Sequence, residues 1–320
     1  MIRTPRHVLL RRRVLANVVD GSFSALARTA GRLPAANPAR HGVERIAGIA
    51  YRDTGSADHT VDIYRPVERR GPLPVVVYFH GGAFRALSKD THYLMGIAFA
   101  RRGYVVVSAN YRLAPRHRFP AAPEDACAAW LWAAEHAAEF GGDPRQVAVA
   151  GESAGANLAA VIAVVSAWQR PEAWARRVYD LGPRPLAVLP ACGIFQVSNP
   201  ERFRRRLLTP AYEVIANLEH GYLPEVRDGV NLDMADPLCV VEGTAPNRPV
   251  APFFLPVGSW DPLVDDSRRM AAALTRHRVR AELRIYDGEI HAFHAFLWRK
   301  NARRCWREML DFLDQHASAG

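Results

Sequence analysis

Short apolar, β-branched runs alternate with stretches of helical spacing along most of this chain. Leu73–Phe79, Tyr104–Ala109, Gln146–Ala150, Pro185–Cys192 and Ala251–Val257 have the near-continuous hydrophobicity of strands buried on both faces, and Ala281–Tyr286 closes the series. Upstream, Val43–Arg52 and His59–Arg65 flank the turn residues Thr54, Gly55 and Ser56 and predict an antiparallel start. Between the strands, helices are expected over Lys89–Arg102, Pro123–Phe140, Asn157–Trp168 and Val264–His277, with a closing helix over Ala295–His316. Eight strands alternating with helices predict an α/β fold: a mainly parallel, doubly wound sheet flanked by helices. Residues 198–249 break the alternation. They carry Pro200, Pro210, Pro224, Pro237, Pro246 and Pro249 and the charged run Glu201–Arg206, as expected of an insertion forming a cap.

Composition adds limits. At 320 residues there is ample apolar content for one large core. The division expected is a basic amphipathic segment over residues 1–42, part of the cap, and a catalytic domain over 43–320. The net charge of +10 is carried almost wholly by arginine, since lysine occurs only at Lys89 and Lys300. No basic-aromatic module accompanies it, so no nucleic-acid partner is expected. Cys127, Cys192, Cys239 and Cys305 are far apart, form no C-x-x-C, and read as small buried thiols. No apolar segment reaches the roughly 18–20 residues of a membrane span. In residues 1–33, arginines and Asp20 interrupt the apolar positions, which argues against a secretory leader. A cytoplasmic protein is expected, with that segment either part of a lid or lying on a membrane surface.

The chemistry starts at Gly151-Glu152-Ser153-Ala154-Gly155, which follows one strand and opens one helix. That is the context of a nucleophile elbow: the glycines let strand and helix approach closely while the turn lifts Ser153 clear of the sheet. Serine needs a base, and the base needs a carboxylate to hold its tautomer. Asp261 follows the strand ending at Val257 and His291 follows the strand ending at Tyr286, so all three converge at the carboxyl edge of the sheet. Asp265, Asp266 and His294 are the nearest rivals; the two aspartates fall inside a helix, where solvated or capping carboxylates are usual. A second element, His80-Gly81-Gly82-Ala83, ends another strand. Gly81 and Gly82, with Ala154 from the elbow, are the expected donors of an oxyanion hole, and His80 is expected to shape the loop.

Taken together, the chain resembles the hormone-sensitive-lipase type of esterase, the bacterial family IV carboxylesterases of the α/β-hydrolase fold. The resemblance rests on His80–Phe84, Tyr111–Pro115, Phe119–Ala126, Gly151–Asn157, Asp261–Leu263 and His291–Phe293, within residues 73 to 318. It implies hydrolysis of short- to medium-chain acyl esters without metal or cofactor, beneath a helical cap. It also implies that Arg112 and Asp125 support the oxyanion loop; Glu152, beside the nucleophile, is a further supporting candidate. Departures stand at Ala83, Arg116 and Ala292, where the family usually has Gly, Glu and Gly, and they bear on substrate range. An amidase, formamidase or deacetylase would use the same machinery, and a membrane-surface lipase is a further alternative. A ligand-binding receptor on this fold is disfavoured because His291 is present. A homodimer is left open.

Overall fold

The computed structural model describes residues 33–204 and 209–317, with scattered positions before residue 33. Most of the amphipathic stretch 1–33 therefore lies outside the described residues.

Eight strands form one sheet in the order β1-β2-β4-β3-β5-β6-β7-β8. They are β1 (Val43–Ala50), β2 (Thr60–Pro66), β3 (Leu73–Phe79), β4 (Val105–Ala109), β5 (Gly142–Glu152), β6 (Val188–Ala191), β7 (Phe253–Gly258) and β8 (Ala281–Tyr286). The pairs β1/β2 and β2/β4 are antiparallel; every later pair is parallel. The side-chain period of two sorts each central strand between two helical layers. Val75, Val77 and Phe79 of β3 join a core built with Trp130, Leu158, Ile162, Met270 and Leu274, whereas Val76 and Tyr78 join Phe99, Trp306 and Phe312 on the opposite face.

The helices are α1 (Tyr93–Ala100), α2 (Ala121–His136), α3 (Ala154–Ala167), α4 (Ala173–Leu181), α5 (Thr209–Tyr222), α6 (Pro237–Gly243), α7 (Val264–Arg276) and α8 (Lys300–Ala317). Three differ from the sequence pattern. The helix expected from Lys89 begins only at Tyr93. The Thr91 hydroxyl donates to Ser88 O (2.7 Å) and accepts from Ser88 N–H (3.0 Å), closing a local turn that competes with helix. Lys89 is pulled inward there, its Nζ 2.9 Å from the buried carboxylate of Asp62. The closing helix begins at Lys300 because Phe293–Ala295 is a separate 3₁₀ turn preceded by Ala292 in the left-handed region (φ 56°). Helix α4 was not expected at all: it is short, rich in arginine, and buries only Ala175 and Val178.

Within 198–249, α5 leads to the oxyanion segment. Tyr222 stacks on Phe84 with ring centroids 3.9 Å apart, Phe119 N–H donates to Tyr222 O (2.9 Å), and Arg118 donates to His220 O and Leu223 O. Helix α6 instead packs against α3 and α7, in the layer beneath the site.

Candidate active site

The end of β5 fixes the nucleophile. Ser153 has φ 54° and ψ −112°, a conformation that L-residues adopt only under constraint. The constraint is backbone packing: a Cβ on Gly151 would stand 2.3 Å from Gly155 O, and one on Gly155 would stand 2.0 Å from Phe79 O. Ser153 N–H donates to Ala191 O (2.9 Å), and Ser153 O receives Asn157 N–H (3.2 Å). Asn157 is buried and donates to Ile194 O (2.7 Å) and Ala235 O (3.0 Å), tying the helix start to the chain beyond β6.

Three sequence-distant residues meet here. His291 Nε2 lies 3.0 Å from Ser153 Oγ, and His291 Nδ1 lies 2.9 Å from Asp261 Oδ2. The other oxygen of Asp261 accepts Leu263 N–H (2.8 Å), so the buried carboxylate cannot rotate freely. Burial pushes the His291 pKa down, but the charge and hydrogen bond of Asp261 outweigh it and leave the pKa above its ordinary value. The rivals stand elsewhere. Asp265 is half-exposed and pairs with Arg268 at 3.0 Å. Asp266 is buried rather than solvated; it accepts Phe195 and Gln196 N–H and pairs with Arg202.

At the oxyanion loop the sequence expectation is Gly81 and Gly82 with Ala154. Gly81 N–H is directed at the ring of the buried His92, its nitrogen 3.3 Å from Nε2. Gly82 has φ 114°, and a Cβ there would stand 2.0 Å from Ala86 O. Ala83, at φ 54°, follows it in the left-handed region. Among the described residues, no hydrogen bond engages the N–H of Gly82, Ala83 or Ala154. The direction a peptide N–H faces is set by tertiary contacts, which is why the glycine pair alone pointed to Gly81.

Behind this loop the sequence-expected supports form a chain. Asp125 is buried and accepts Arg112 N–H (2.9 Å) and Arg112 Nε–H (2.8 Å), with Arg52 and His59 each at 3.2 Å. Tyr111, next to Arg112, donates its hydroxyl hydrogen to His80 O (2.8 Å) and stacks on the His80 ring at 4.3 Å. Burial holds His80 largely neutral, its pKa pushed down to about 3. Its Nδ1 is 2.7 Å from Gly81 O. Glu152 is buried between His92 and His294, at 3.0 and 2.9 Å. His92 did not emerge from the sequence: it lay in a stretch read as a helix start.

Among the described residues one group offers clustered metal ligands: Cys192, Asp261 and His291, with ligand atoms within 4.8 Å of one another. Asp261 and His291 are already committed to each other. Burial, then the nearby Asp261, raises the Cys192 thiol pKa well above its ordinary value. All four cysteines are free thiols, and three are buried. Among the described residues no helix is long and apolar enough to cross a membrane.

The α/β hydrolase fold family matches residues 76–295. The chain is 34% identical over 258 residues to carboxylesterase NlhH of Mycobacterium tuberculosis, covering 76% of this chain and 73% of that one. Among solved structures, an esterase of Pyrobaculum calidifontis is similar at a TM-score of 0.73 and 26% identity, over 96% of this chain and 98% of that one. Esterase LipW of Mycobacterium marinum is similar at a TM-score of 0.74 and 27% identity, over 94% and 90%.

Proposed function

The chain belongs to the α/β-hydrolase family, in its hormone-sensitive-lipase type of carboxylesterases, and from that membership we propose that Ser153, His291 and Asp261 carry its ester hydrolysis. The observation supporting this most directly is the continuous relay Asp261–His291–Ser153, at 2.9 and 3.0 Å, at an elbow strained toward the sheet edge.

The steps follow from the atoms present. His291 Nε2 takes the Ser153 hydroxyl proton as Oγ bonds to the ester carbonyl carbon. The former carbonyl oxygen, now negative, is held by the N–H groups of Gly82, Ala83 and Ala154, the last at the start of α3 where unpaired donors favour an anion. The C–O bond to the alcohol breaks, and His291 returns the proton to the leaving oxygen. Water then repeats the sequence on the acyl-enzyme, freeing the acid and Ser153. Asp261 holds His291 with Nε2 facing the serine and stabilises the imidazolium.

The acyl range follows from the cap. We assign it to the amphipathic segment before residue 43 together with the part of 198–249 that leads to α5, whose end rests on Phe84 beside the oxyanion loop. Small-molecule acyl esters of short to medium chain are the substrates this reading favours. The test is hydrolysis of p-nitrophenyl esters from acetate to palmitate by the wild type and Ser153→Ala. Turnover should peak at short to medium chains and fall at least ~1,000-fold in the variant. A peak at palmitate would replace this reading with a lipase, and turnover independent of Ser153 on every ester would overturn it. Matched formamides and acetylated sugars separate the amidase and deacetylase alternatives.

A further inference from the structure

Glu152 belongs to the nucleophile elbow by sequence, yet its side chain does nothing in the proton relay. It lies buried behind Ser153, and each of its oxygens meets a different segment. Oε1 is 3.0 Å from His92 Nε2, and Oε2 is 2.9 Å from His294 Nε2. His294 stands three residues past His291, on the same loop and its 3₁₀ turn. The same His92 Nε2 lies 3.3 Å from the backbone nitrogen of Gly81, the residue before the donors assigned to the oxyanion hole. A Cβ on Gly81 would stand 2.8 Å from Glu152 Oε1, so loop and carboxylate are already in close contact. His92 Nδ1 lies 3.1 Å from Ser88 O and 3.0 Å from Thr91 Oγ1. This locks the His92 ring with Nε2 toward Glu152 and Gly81.

We propose that Glu152 is a positioning residue for the hydrolysis: one buried carboxylate that holds the oxyanion loop, the nucleophile elbow and the base loop at fixed spacing. The proposal rests on the assignment of Ser153 and His291 above. Its physical basis is the origin of the catalytic atoms. The oxyanion donors come from two separate segments, Gly82 and Ala83 from one and Ala154 from the other, and the base comes from a third. Catalysis needs all three placed to well within 1 Å, and a misplacement of that size costs about 100-fold. Packing alone sets the elbow through Gly151 and Gly155; the loops on either side have the Glu152 contacts as a common hub. A buried carboxylate in close contact with an imidazole from each loop suits that task, because neither ring can shift without changing its distance to the same charge.

The carboxylate has a second, separable consequence. His291 faces Asp261, Ser153 and Cys192 directly, and Glu152 adds negative charge at longer range that favours its protonated form. Glu152 itself faces His92 and His294, with His80, Tyr78 and Tyr111 also near enough to feel its charge. Removing the charge while keeping the shape should therefore move the acid limb of the pH–rate profile to lower pH, an effect that a merely structural residue would not have.

The experiment is Glu152→Gln on p-nitrophenyl butyrate, with active serines counted by phosphonate titration. Expected is kcat per titrated serine lower by about 10- to 100-fold, KM within about threefold of wild type, and an acid limb shifted down. Glu152→Asp keeps the charge but shortens the reach; its acid limb should return toward wild type while kcat stays low. If the Gln variant does not fold, His294→Gln releases only the base loop and should lower kcat about fivefold at unchanged KM. Wild-type kcat per titrated serine in whichever variant folds overturns the proposal, as does a Gln variant with reduced kcat and an unmoved acid limb. Absence of Ser153-dependent turnover in the wild-type control is a different result, since it removes the active-site assignment itself.

Discussion

His291 sits under two opposed influences, and their balance sets the pH at which the base works. Burial disfavours its charged form, while Asp261 at 2.9 Å favours it more strongly, so the pKa is raised above its ordinary value. The base must be neutral to accept the serine proton. Activity should therefore be full at alkaline pH and fall as pH drops through that raised pKa, so the midpoint of the acid limb in kcat/KM lies above that of an ordinary histidine. Asp261→Asn removes the term that raises the pKa. Its acid limb should move down, with kcat lower by about 10⁴-fold because the tautomer is no longer held. A pH–rate profile of the two proteins checks both; an acid limb that does not move would mean Asp261 is not the carboxylate that His291 feels. At this scale the sequence was informative for chain-order reasons: a serine in a strand–turn–helix context, then an acid and a histidine each just after a strand. It was uninformative for Gly81, whose N–H direction depends on His92 eleven residues away, and for the His92–Glu152–His294 array, which exists only once three segments pack.

The element that decides the site is the β5–α3 elbow. Gly155 lets helix α3 start almost against the backbone of β3; the 2.0 Å that a Cβ would leave to Phe79 O is far inside any real contact. Gly155→Ala cannot be absorbed by a flexible side chain, because the obstacle is the backbone at the end of a central strand. It should cost more than about 3 kcal/mol, read as loss of soluble protein or a large drop in denaturation midpoint. A variant with wild-type stability would mean that strand and helix are further apart than described. Strands were the most legible elements because a parallel strand covered on both faces must be apolar almost throughout; β3 and β7 are, and β4 departs only at Ser108. Helix boundaries were less so. At Lys89–His92 hydroxyl–backbone bonds compete with the first turn, and α4 hides a two-residue buried face among charges.

On the scale of the whole molecule, the sheet gathers residues from four strand ends, β3, β5, β7 and β8, into one edge, while the positive charge is spread over the surface as arginine. Much of that arginine is committed to carboxylates. Arg112 holds Glu124 and Asp125, Arg202 holds Asp266, Arg269 holds Glu242 and Arg102 holds Asp311 and Asp314. Lysine is a different matter. Of the two in the chain, Lys89 is 5% exposed and paired with Asp62, whereas Lys300 is exposed at the start of α8. Native protein treated with an amine-directed acylating reagent should thus be modified at Lys300 while Lys89 stays unmodified until the fold opens, as peptide mass mapping would show; equal labelling of the two in native protein would contradict the buried pair. The Lys89–Asp62 pair consequently leaves the folded surface with a single addressable side-chain amine. A tether fixed there would hold every copy on a support by the same point, beside the loop that carries His291.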